Sequence, residues 1–137
     1  MARVLAIDFG LKRTGLAISD PLGMIANGLE TVDSKVLLVA MKQIDGNQGF
    51  DTIVIGEPRR LNGEHSEIEQ NIKILITELG KVFPSKQIER FDERFTSKIA
   101  LDTLIGSGVS KKERSKKGNI DKISATVILQ EYLNQKS

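Results

Sequence analysis

Two short apolar runs, RVLAID at residues 3–8 and TGLAIS at residues 14–19, are separated only by FGLKR, close enough to pair as a β-hairpin. A later run, DTIVIG at 51–56, is continuously apolar, the form a strand takes when both of its faces are covered. Helical periodicity intervenes on either side of it. Val36, Leu37, Val39, Ala40 and Ile44 mostly fit a 3.6-residue period, with Asp33 or Ser34 as cap and Gly46 as terminator. Ser66 and Glu69 form a capping box ahead of Ile68, Ile72, Leu75, Ile76 and Leu79, and Pro84 stops that helix. A weaker strand is expected around MIANGLETV, a last strand at QIERFDE, a helix at IALDTLI capped by Thr96 or Ser97 and ended by GSG, and a final helix from about Asn119. Antiparallel strands followed by strand–helix alternation, which demands right-handed parallel crossovers, predict an α/β chain with a mixed sheet covered by helices on both faces. Residues 1–137 read as a single domain, without internal repeat or low-complexity segment.

Composition narrows the classes. A hydrophobic fraction of 39% and a charged fraction of 28% are those of an ordinary soluble globular chain, and no apolar stretch approaches the length of a membrane span. The start, MARVLAID, lacks the features of a signal peptide, and the absence of cysteine excludes a disulfide framework and thiolate metal sites. The expected compartment is therefore the cytoplasm. A net charge of +2 is too small to identify a nucleic-acid binder by itself; where the charges fall is more informative.

The first strand ends on Asp8, which is costly unless a cation or hydrogen-bond donor meets it. DFGLKRTGLAISD, the segment from VIGEP to NG, DERFTS and KGNIDKISATVILQEYL resemble, in order and spacing, the YqgF family, also called RuvX, of the RuvC-like ribonuclease H superfamily. The resemblance runs from about residue 3 to 133. It implies a ribonuclease H-like fold with a five-stranded mixed sheet. It also implies a metal-dependent endonuclease that matures the 5′ end of pre-16S ribosomal RNA, with resolution of branched DNA at Holliday junctions as the alternative.

Phosphodiester hydrolysis needs a nucleophilic water and a stabilised leaving oxygen, and two Mg²⁺ or Mn²⁺ ions roughly 4 Å apart meet both needs. Such hard cations ask the protein only for a few converging carboxylates. The resemblance selects Asp8, Glu93 and Asp121. Each has a plainer reading: a turn acid for Asp8, a surface ion pair within Asp92-Glu93-Arg94, and a helix N-terminus complemented by acid for Asp121. Strand alternation lets only one of Asp92 and Glu93 face a site. Asp121 shares a helical stripe with Ala125, Ile128 and Tyr132, which suggests an inward face. At Glu57 many relatives carry an apolar residue; an additional ligand and a solvated loop acid are both open, and the loop acid is favoured. Ser124-Ala125 replaces the Ala-Ala of many relatives, a change small enough to leave helix packing intact.

Lys12 and Arg13 adjoin the Asp8 turn, Arg59 and Arg60 occupy the loop after the fourth strand, and Arg94 follows Glu93. KKERSKKGNIDK adds Lys111, Lys112, Arg114, Lys116 and Lys117 immediately before Asp121. Cations ringing an acidic centre suit a phosphate backbone, whereas a lone charge run is more often a solvated loop. Five Phe, one Tyr and no Trp give little support for base stacking. His65, in a polar loop, reads as a surface residue. The expected partner is precursor ribosomal RNA, presented by a ribosomal assembly intermediate, with branched DNA as the alternative and no membrane; monomer and homodimer are both open. Two other classes compete. Actin-like phosphotransferases also begin with an Asp-x-Gly hairpin, but they close two such domains over ATP and this chain has length for one. A non-catalytic nucleic-acid-binding module is the other, and retention of all three carboxylates argues against it.

Overall fold

The computed structural model describes residues 3–57, 68–92 and 117–136, with backbone alone for 117–123 and 136. The elements are β1 (Val4–Asp8), β2 (Arg13–Ser19), β3 (Ala26–Asp33), a 3₁₀ turn (Ser34–Val36), α1 (Leu37–Asn47), β4 (Thr52–Glu57), α2 (Glu69–Val82), β5 (Gln87–Asp92) and α3 (Lys117–Lys136). The strands form one sheet in the order β3-β2-β1-β4-β5. The hairpin pairs Leu5 with Ile18 and Asp8 with Gly15, and β4 lies parallel to both β1 and β5. Because β3 is antiparallel to β2, β2 alone runs against the others. This is the mixed sheet expected from the sequence. The expected helix at IALDTLI lies outside the described residues.

Strand alternation divides the core. Leu5, Ile7, Leu16, Ile18, Ile53 and Ile55 meet Leu37 and Met41 of α1 and Ile72, Leu75 and Leu79 of α2 on one face. On the other face Ala6, Ala17, Val54 and Phe91 meet Ala125, Ile128, Leu129, Tyr132 and Leu133 of α3. Two alanines on adjacent strands, both fully buried, let this single helix lie close to the sheet. The expected inward stripe of the last helix is thus observed at Ala125, Ile128 and Tyr132.

Local signals were read correctly in kind and imperfectly in position. Asp33 caps the 3₁₀ turn, its carboxylate accepting from the Lys35 amide. Gly46 does not end α1; the helix runs on to Asn47, and Gly49, at φ +77°, reverses the chain and donates to the Ile44 carbonyl. The Ser66 half of the expected capping box lies outside the described residues. The Glu69 half is the first residue of α2, but its carboxylate is taken by Arg90 of β5. Among the described residues, no helix is long and apolar enough to cross a membrane.

Candidate active site

Asp8 closes β1 two residues after Ala6, so alternation places it on the α3 face of the sheet, where it is half-buried. The chain then turns sharply. A Cβ on Gly10 would lie 2.4 Å from the Arg13 carbonyl oxygen, a backbone atom that cannot step aside, so the turn requires glycine. Lys12 is exposed in this turn, and Arg13, half-buried, opens β2. Lys12 and Arg13 thus belong to the turn that follows Asp8.

The seating of α3 follows from its contacts. Gln130 accepts from the Ala26 amide at 3.0 Å and donates to the Met24 carbonyl, at the end of the sheet where β1 begins. Tyr132 donates to Glu89 at 2.5 Å. Burial, then the hydrogen bond to Glu89 and its charge, push the phenol above its ordinary value, so the hydroxyl keeps its proton and is the donor. Both anchors lie near the start of the parallel strands, which places the C-terminal part of α3 at that end of the sheet. Asp121 belongs to the first part of α3, which is described in its backbone alone.

Glu93 lies outside the described residues; it follows Asp92, the last residue of β5. β1 and β5 are not neighbours, because β4 lies between them, and their carboxyl ends are about 10 Å apart by strand spacing. On the α3 face the intervening β4 position is Gly56, in register with Phe91, so no β4 side chain fills the space between the two strand ends there. Phe91 packs on the α3 face, which assigns Asp92 to the opposite one. Of the remaining sequence candidates, Arg59, Arg60, His65, Arg94, Lys111, Lys112, Arg114 and Lys116 lie outside the described residues. Lys117 is the first residue of α3, described in its backbone alone.

Glu57 departs from the favoured expectation. It is the last residue of β4, not a loop residue, and its side chain is 15% exposed, not solvated. Alternation from Ile53 and Ile55 puts it on the α1–α2 face, away from that of Asp8. Arg90 of β5 approaches its carboxylate at 3.8 Å and grips Glu69 of α2 through two bonds of 2.8 and 3.3 Å. Glu69 is almost fully buried. This Glu57–Arg90–Glu69 cluster was missed in the sequence, where Glu69 carried a capping signal and Arg90 none. The only available hint was the parity of Ile88, Arg90 and Asp92 along β5.

Among the described residues no group of three or more acidic, histidine or cysteine side chains converges as a metal site. The donor chemistry nevertheless suits a hard cation: the Asp8 carboxylate offers oxygen at a half-buried strand end.

A sheet ordered β3-β2-β1-β4-β5 with only β2 reversed, helices on both faces and an acid at the carboxyl end of the central strand defines a ribonuclease H-like protein. Solved structures agree: the RuvC of T. thermophilus, in complex with a Holliday junction substrate, superposes with a TM-score of 0.61 at 11% identity, covering 99% of this chain and 96% of that one. The family is narrower than the fold. The model "RuvX: Holliday junction resolvase" matches residues 2–135, and the chain belongs to that family. A relative from Flavobacterium johnsoniae is 44% identical over 136 residues, covering 99% of both chains. One from Bacteroides thetaiotaomicron is 46% identical with the same coverage, and both carry the name "Putative pre-16S rRNA nuclease".

Proposed function

We propose that this chain is a metal-dependent endonuclease that hydrolyses the RNA backbone, and that its substrate is the 5′ precursor segment of 16S ribosomal RNA. The observation that carries this reading is Asp8, a half-buried acid closing the central strand on the face that α3 covers, beside a glycine-dependent turn bearing Lys12 and Arg13. Asp8, Glu93 and Asp121 would hold Mg²⁺ or Mn²⁺. With Asp92 directed to the opposite face, Glu93 is the acid at this strand end left to serve. When bound, the ions supply a water acidified enough to attack phosphorus and positive charge for the departing oxygen. The protein's own part is to orient the carboxylates on a rigid strand and helix, and to seat flanking phosphates on Lys12 and Arg13. Arg59, Arg60, Arg94 and the cations from Lys111 to Lys117 would extend that seat. The names of the relatives support RNA as substrate; the RuvC likeness and the family description support the second reading, cleavage of branched DNA.

The test is to incubate the protein with labelled precursor RNA spanning the 16S 5′ end and, separately, with a four-way DNA junction, in Mn²⁺, Mg²⁺ or chelator. Metal-dependent cutting of RNA supports the proposal, and cutting of the junction alone selects the second reading. Cutting of neither, free or within an assembling ribosomal particle, defeats both. Glu57→Gln is expected to retain metal-dependent cleavage within about twofold of wild type, because the carboxylate lies on the other face. A hundredfold loss would make Glu57 a ligand after all.

A further inference from the structure

Among the described residues, the turn after Asp8 is fastened from outside the hairpin by Ser34, the first residue of the 3₁₀ turn that follows β3. Its amide donates to the Lys12 carbonyl at 3.0 Å. Its hydroxyl lies 2.5 Å from the Gly10 carbonyl oxygen and 2.8 Å from the Thr14 hydroxyl. A carbonyl can only accept, so the single Ser34 proton goes to Gly10, and Thr14 must donate to Ser34. The result is a directed chain from Thr14 through Ser34 to Gly10, starting from a residue with no solvent exposure. Capping does not require this hydroxyl, because the Asp33 carboxylate already takes the Lys35 amide. Ser34 is thus free to serve the turn.

The consequence is electrostatic as well as geometric. Two carbonyl oxygens of the Gly10–Arg13 turn, which would repel a phosphate, are bound at Ser34. A side chain at Gly10 would collide with the Arg13 carbonyl, so the turn is closely packed there. Lys12 is exposed on it. We propose that Ser34 is a positioning residue for nucleic-acid binding: by holding the carbonyls of Gly10 and Lys12 it presents Lys12 and Arg13 to a backbone phosphate of the strand threaded past Asp8. This rests on the nuclease reading and adds to it a residue outside the acidic centre that governs affinity for the polyanion.

The experiment measures binding of a labelled single-stranded RNA in chelator, where no chemistry occurs, as a function of salt. Wild type, Ser34→Ala, Ser34→Thr, Lys12→Ala and the Ser34→Ala/Lys12→Ala double variant are compared, each checked for native circular dichroism. Ser34→Ala is expected to weaken binding about three- to tenfold, the range set by losing a hydrogen bond that holds the loop. It should also flatten the plot of log affinity against log salt by about 0.7 unit, as expected for one lost phosphate contact on a single strand. Ser34→Thr, which keeps the hydroxyl, should restore both. In the double variant the two effects should be less than additive, because Ser34 acts through Lys12. A folded Ser34→Ala protein with unchanged affinity and salt slope, or strict additivity with Lys12→Ala, overturns the proposal while leaving the nuclease reading intact. Absence of salt-sensitive RNA binding by wild type overturns that reading and the role of Ser34 with it.

Discussion

Arg90→Gln is expected to lower the unfolding free energy by about 3 kcal/mol, the scale for removing one partner of a buried ion pair. The guanidinium bridges Glu69 of α2, Glu57 at the tip of β4 and the Gly56 carbonyl, with its side chain 23% exposed. Taking it away leaves the Glu69 carboxylate almost fully buried without its bidentate partner, and desolvation of that charge sets the cost. Most of the loss should be recovered in Arg90→Gln/Glu69→Gln, where the most deeply buried carboxylate is gone as well and the two amides can bond. Urea titrations of the two single variants and the double variant form a cycle that isolates the pair. If Arg90→Gln unfolds with wild-type midpoint and slope, the cluster contributes nothing and its geometry is incidental.

The same cluster marks where sequence reasoning reaches its limit. The hairpin, the parallel strand at 52–57 and the inward stripe of α3 were legible because each is written in a local period: adjacency for the hairpin, a continuous apolar run for β4, and Ala125, Ile128 and Tyr132 for the helix. Glu69 also carried a local signal, the capping box, and a partner 21 residues away claimed its side chain. Glu57 reads as a loop acid because the apolar run in the sequence ends at Gly56; pairing with Asp92 carries β4 one residue further. Gly46 and Gly49 are equivalent as letters, and only the backbone shows which reverses the chain. Ser34 and Asp33 were interchangeable caps in the sequence. The structure divides the work, giving the cap to the carboxylate and the turn to the hydroxyl. Asp8 was legible as an anomaly, an acid closing an apolar run, whereas the seating of α3 on the sheet is held by Gln130 and Tyr132, which no local pattern records.

Asp8→Asn is expected to reduce metal-dependent RNA cleavage more than a hundredfold, since losing an outer partner of a metal ligand already costs about 10- to 100-fold and a direct ligand should cost more. The substitution keeps the shape of the side chain and one carbonyl oxygen, so the turn, held by Gly10 and Ser34, should survive. What is lost is the negative charge that a hard dication requires. Two further readouts separate this from general damage. RNA affinity in chelator should be unchanged or slightly higher, because one negative charge beside Lys12 and Arg13 has gone. The thermal midpoint without metal should change little, because asparagine keeps the shape of the side chain and one of its oxygens. Mn²⁺ should raise the midpoint of wild type through linkage and leave that of Asp8→Asn almost unmoved. Cleavage by Asp8→Asn within tenfold of wild type, at saturating Mn²⁺, would remove Asp8 from the catalytic centre. The acid would then be a turn residue and the α3 face would need another ligand set. Loss of cleavage together with loss of the Mn²⁺-dependent shift would make the carboxyl end of β1 the place where metal and RNA backbone meet.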